Sequence, residues 1–156
     1  MIINPSLPTG HAVFCDDIRE EVGGKLTYVG VYGNVMIISA AAPATLSQLC
    51  VAVSVRIEPP IEPLTTTVRI LRSDGDEIIA EAQAVIEPPA NPSSAPSFAD
   101  ANSVSFRELF VPIRVAGVLI TQDCAIKVRA YIGDDEIRLG SLRVIFAEPP
   151  NEKTVS

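Results

Sequence analysis

Hydrophobic and polar residues alternate with a period of two along most of this chain, and the clearest run is Leu49–Ile57. There Leu49, Val51, Val53, Val55 and Ile57 interleave with Cys50, Ala52, Ser54 and Arg56, the pattern of a strand with one face in a core. The small residues on its other face predict a crowded or partly covered outer surface. Leu64–Arg72 and Glu77–Glu87 form two further β-rich runs joined at Ser73-Asp74-Gly75-Asp76, where Asp-Gly is a hairpin-turn signal. Strand character returns at Val104–Arg114, with Pro112 tolerated only on an edge or at a bulge. Ala125–Ile132 and Glu136–Phe146 predict a last hairpin across Gly133-Asp134-Asp135.

The segment His11–Val35 carries the densest mixture of charged and aromatic residues and reads as another hairpin. Its strands are expected near Ala12–Ile18 and Lys25–Tyr32, reversing at Gly23-Gly24, where glycine supplies the positive φ of a tight turn. Strict alternation would place Asp16 on the face of Ala12, Phe14 and Ile18. A bulge near Asp16-Asp17, or a partner for the carboxylate, is therefore expected. Gly30 leaves room for a neighbouring side chain or backbone. Val35–Ser39 prolongs this strand or begins a short new one, and the Pro-broken segment after it is expected to hold one helical turn at Ala44–Gln48.

About eight strands at short spacing, joined by turns and without a long amphipathic helix, predict an all-β, antiparallel Greek-key β-sandwich of immunoglobulin-like or C2-like type. A barrel is the competing architecture. Residues 1–10 read as an extended lead-in, 11–147 as a single β-sandwich domain, 87–103 as a long mobile loop rich in Pro, Ser and Ala, and 148–156 as a disordered tail. Glu-Pro-Pro occurs at 58–60, 87–89 and 148–150, each time after a predicted strand, where Pro-Pro cannot continue a ladder.

Composition narrows the function classes. A chain of 156 residues with 47% hydrophobic and 20% charged residues can bury a sizeable core without a metal or disulfide staple. The net charge of −7 argues against nucleic acid and against an anionic membrane surface as partners. Cys15, Cys50 and Cys124 are odd in number and form no CxxC pair, so they are read as reduced. With no leader-like N-terminus and no apolar run of membrane-spanning length, a soluble cytoplasmic protein is the expectation.

Residues 14–34, FCDDIREEVGGKLTYVGVYGN, carry a Phe-Cys-Asp-Asp run, a Gly-Lys turn and a Thr-x-x-Gly-x-Tyr strand. This resembles the signature of a family of small uncharacterised bacterial and phage-encoded proteins. The resemblance implies a β-sandwich of unknown biochemical role and assigns no catalytic residue.

The same residues admit two physical readings. In the structural one Cys15 fills a small apolar space, Asp16 and Asp17 accept backbone N–H bonds at a bulge, and Arg19 or Lys25 pairs with Glu20 and Glu21. In the functional one Asp16, Asp17, Arg19, Lys25, Tyr28 and Tyr32 form a polar patch with the Tyr and Arg anchors that dominate protein interfaces. A calcium-dependent C2-like module is the alternative. Its ligands would come from the acidic loops at Asp74, Asp76, Asp134 and Asp135. Enzyme readings find little to stand on, because the single histidine, His11, has no accompanying nucleophile elbow, zinc set or phosphate loop. A non-catalytic module, protein-binding or structural, that meets a protein partner or a second copy of itself and uses no cofactor, is the expectation.

Overall fold

The longest alternating run becomes a central strand with both faces covered. In the computed structural model, which describes residues 7–73, 75–90 and 106–147, β5 (Ala44–Ile57) lies between β1 (Thr9–Cys15) and β8 (Arg107–Ile120), antiparallel to both. A second sheet of five strands has the order β4 (Val35–Ile38), β10 (Asp135–Phe146), β9 (Cys124–Ile132), β6 (Leu64–Arg72) and β7 (Glu77–Ile86). A third, two-stranded sheet pairs β2 (Asp17–Glu20) with β3 (Leu26–Val29). The described chain is therefore all-β, with ten strands and no helix.

One apolar cluster is built from both larger sheets. Leu49, Val51, Val53 and Val55 of β5 join Val68 and Ile70 of β6, Ile126 and Val128 of β9, and Leu142 and Val144 of β10, all essentially without exposure. The two sheets approach so closely at Gly10 that a Cβ there would lie 2.8 Å from Leu139 Cδ2 of β10. The other face of β5 is buried too. Cys50 and Ala52 form a second, smaller cluster with Cys15 and Ile18, against which Val13 packs. Cys15 and Cys50 face each other across the β1–β5 ladder as free thiols.

Several expected features hold. Pro112 sits on β8, an edge of its sheet, where its missing N–H is harmless. β5 and β7 stop at Ile57 and Ile86, each directly before a Glu-Pro-Pro. The alternating faces of β6 hold as well, with Thr66, Val68 and Ile70 buried.

Other expectations are corrected. Ala44–Gln48 is not a helical turn but the first part of β5, because β8 continues to Ile120 and pairs with it, as in Ala44 with Ile120 and Gln48 with Ala116. Tertiary pairing overrides the local preference of Ala and Gln. The ladders are not all antiparallel: β4 runs parallel to β10, with Val35 opposite Arg143 and Ile38 opposite Phe146. β4 follows β3 of the two-stranded sheet and is no hairpin partner of β10, and only a hairpin connection would force opposite directions. The strand expected at Ala12–Ile18 divides at Asp16 into β1 and β2, which belong to different sheets, and its partner ends at Val29 instead of Tyr32. Most of the proline-rich loop expected at 87–103 and the tail at 148–156 lie outside the described residues.

Candidate functional site

The β2–β3 hairpin is an arm laid over the outer face of the three-stranded sheet. A lone two-stranded ribbon is marginal in water, so it needs an anchor. Ile18 is that anchor, buried among Cys15, Cys50, Ala52 and Val13. The chain leaves β1 at Asp16 and returns beside it: Asp16 N donates to Val29 O at 2.9 Å, and Tyr32 N donates to Phe14 O at 2.8 Å. Gln48 Nε2 of β5 donates to Asp16 O at 2.9 Å. At the far end Glu21 N donates to Lys25 O at 2.8 Å, closing a reversal in which Gly23 and Gly24 have φ of 84° and 73°.

The base of the arm is knitted by charge. Asp16 is exposed, as a divided strand allows, and its carboxylate accepts a hydrogen bond from the Tyr32 hydroxyl. Burial first, then this bond to an anion, pushes the Tyr32 phenol up to about 12. The same carboxylate rests over Gly30, where a Cβ would lie 2.7 Å from Asp16 Cγ; with φ of 64° the position favours glycine on conformational grounds as well. Asp17 accepts from Ile18 N at 2.9 Å and pairs with Arg19 Nε at 3.2 Å. Arg114 of β8 approaches the same carboxylate at 3.7 Å and donates to Ile18 O. The Arg19 hydrogen bond, with a smaller contribution from Arg114, holds the Asp17 carboxyl below the usual carboxylate range.

The six predicted patch residues therefore divide. Asp16, Asp17 and Tyr32 fasten the arm, whereas Arg19 pairs within it with Asp17, not with Glu20 or Glu21. Lys25 and Tyr28 lie exposed on the arm, with no side-chain hydrogen bond or ion pair among the described residues. Beside them Val22 in the turn is 97% exposed, whereas Leu26 and Tyr28, on the ribbon face of Ile18, are each 36% exposed; Val31, just past β3, is 56% exposed. Sequence reasoning missed Ile18 as the anchor and Arg114 as the distant clamp. Ile18 had a signal in the small residues facing out from β5; Arg114, 96 residues further along the chain than Ile18, had none.

The acidic loops do not form one site. β6 and β9 run antiparallel, with Arg72 opposite Ile126 and Thr66 opposite Ile132, so the turn holding Asp76 and the turn holding Asp134 lie at opposite ends of these strands. Six residues of strand separate the two ends by about 20 Å. Asp76 thus cannot share an ion with Asp134 and Asp135, and it pairs instead with Lys127 at 3.6 Å. Asp74 lies outside the described residues. No group of three or more His, Cys, Asp or Glu able to hold a metal ion is found among the described residues.

The geometry describes an all-β domain with a two-stranded arm clamped against one sheet. The chain belongs to DUF6941, a family of unknown function, whose model matches residues 10–145. No curated protein matches the sequence.

Proposed function

We propose that this is a non-catalytic protein-binding module whose contact surface is the outer part of the β2–β3 arm. The observation that carries the reading is the contrast along the arm. Its base uses its polar groups internally, whereas further out Val22, Leu26 and Tyr28 stay exposed together with Lys25. Apolar side chains scattered singly are ordinary on a surface, but here Val22, Leu26 and the aromatic Tyr28 fall within one short stretch, Val22–Tyr28, with the cation Lys25 among them. Clamping the base lowers the ordering cost of binding, since the arm need not be fixed anew.

The architecture behind the arm is read as a Greek-key sandwich of immunoglobulin-like or C2-like type. Support comes from the single core that both larger sheets share and from strand neighbours that are not consecutive in sequence. Three cysteines that form no disulfide are consistent with work in the reducing cytoplasm.

The test uses the full chain and a Leu26→Ser/Tyr28→Ala variant as baits in native lysate, after both are shown to unfold at the same denaturant midpoint. Sedimentation velocity on each reports self-association. The expected result is a partner, or a second copy, retained by the parent protein and lost by the variant. Equal retention would remove the arm from consideration.

A further inference from the structure

We infer that the outer face of the five-stranded sheet is a binding site for a small polyanion, a ligand carrying two or more carboxylate or phosphate groups. The site is independent of the arm and lies on the opposite sheet.

The starting observation is register. Arg69 of β6 lies directly opposite Arg129 of β9, and Arg129 lies directly opposite Arg138 of β10. Three guanidinium side chains thus stand in one row across three adjacent strands, about 4.8 Å apart. Like charges directly opposite each other destabilise a sheet. Lys127, two residues before Arg129 on β9, extends the same face, as does Arg143 on β10. Five of the twelve Lys and Arg residues of a chain with net charge −7 therefore gather on one sheet face.

The acids that answer these cations sit around them. Glu81 pairs with Arg69 at 2.7 Å, Glu136 with Arg129 at 3.4 Å and Asp76 with Lys127 at 3.6 Å. Arg138 forms no ion pair among the described residues, so the row is short of negative charge. Exposure is unequal in two of the three pairs, while Arg69 and Glu81 are alike at 38% and 36%. The Arg129 side chain is 14% exposed and donates to Val128 O at 2.9 Å, which fixes it in place, whereas Glu136 is 51% and Asp76 is 74% exposed. Solvated rim carboxylates hold weakly and can swing aside. Arg129 is thus fixed in the middle of the row while Glu136 and Asp76 sit loose at its edge, an arrangement an incoming oxyanion can exploit; the Arg69–Glu81 pair is the close one.

Shape agrees with charge. Arg69, Lys127, Arg129 and Tyr131 line a groove of about 350 Å³ together with the pairing acids Asp76 and Glu136, a size within the range of small-ligand sites. The Arg69 guanidinium lies 4.9 Å from the centre of the Tyr131 ring, which holds its planar fork in a defined orientation. Arginine forks match carboxylate and phosphate in bidentate geometry. Guanidiniums one strand spacing apart suit a ligand with two such groups better than one.

The experiment titrates citrate and pyrophosphate, in separate arms at matched ionic strength, into the full chain, followed by amide NMR shifts, with acetate as the single-charge control. Saturable binding of citrate, pyrophosphate or both, with shifts centred on β6, β9 and β10, is expected, and the tighter arm assigns the carboxylate or phosphate source. Arg129→Gln should weaken binding at least about tenfold, and Arg138→Gln, at an exposed position that leaves folding intact, should weaken it severalfold. The proposal is overturned by no saturable binding at millimolar ligand, by shifts centred elsewhere, or by affinities unchanged in both variants. Binding of a polyglutamate peptide with neither small ion bound would also overturn it, since the face would then read an extended chain.

Discussion

Replacing Gly30 by alanine should loosen the arm by a calculable amount. At φ of 64° an L-residue costs about 1–2 kcal/mol relative to glycine. The new Cβ would also displace the Asp16 carboxylate, whose Cγ lies 2.7 Å from that point, and so break its hydrogen bond from Tyr32. For a partly exposed, charge-assisted bond that loss adds about 1 kcal/mol. Stiffening of the unfolded chain returns about 0.4–1 kcal/mol. The net effect is a destabilisation of about 2 kcal/mol, read as a fall of about 1 M in the urea midpoint. The informative control is the same substitution in an Asp16→Ala background, where no carboxylate stands in the way. There Gly30→Ala should cost only about 1 kcal/mol, leaving a coupling of about 1 kcal/mol between the two positions. Equal costs in both backgrounds, or a single-variant effect under about 0.5 kcal/mol, would refute the packing of Asp16 over Gly30.

Thr66 is fully buried and its hydroxyl finds no hydrogen-bond partner among the described residues. Thr66→Val should therefore raise stability by about 1–2 kcal/mol in denaturant unfolding, and a loss would show that the hydroxyl is satisfied. Because the Tyr32 phenol is pushed up to about 12 in the folded protein from its ordinary 10.0, the native state keeps that proton after the unfolded chain has lost it. Its contribution is thus whole below pH 10 and lost as pH rises toward 12, so Tyr32→Phe should flatten the alkaline fall in stability; an unchanged slope would contradict the assignment. Cys15 and Cys50 are fully buried, and burial pushes both thiols up, while Cys124 is partly exposed. One thiol should react quickly with a disulfide reagent in the native protein, and Cys124→Ser should abolish that phase. Rapid modification of all three would mean that the arm does not cover the pair.

The strands with strict alternation are legible because large apolar side chains on the core face, with smaller or polar ones opposite, leave a period of two. β5 between Leu49 and Ile57 and the β6–β7 and β9–β10 hairpins are the examples. The small residues Cys50 and Ala52 even signalled that something covers the second face of β5. What could not be read were features set by partners far along the chain. Ala44–Gln48 is extended only because Ala116–Ile120 lies beside it, and β4 is parallel only because the chain changes sheets. At the site, the glycine turn and the unusual position of Asp16 were visible from local spacing, whereas Arg114 and the arginine row depend on register between strands. Register is a tertiary quantity, and a single sequence encodes it only where turns are tight.

The central claim is that the outer part of the arm meets another molecule while its base does not. A photo-crosslinking amino acid placed at Tyr28 in living cells tests this most directly, with Val85, exposed on the β7 edge of the other sheet, as the reference position. The account predicts a discrete adduct from position 28 that disappears when Leu26 is changed to Ser, and none from position 85. Adducts of equal yield from both positions, or none from position 28, would contradict it.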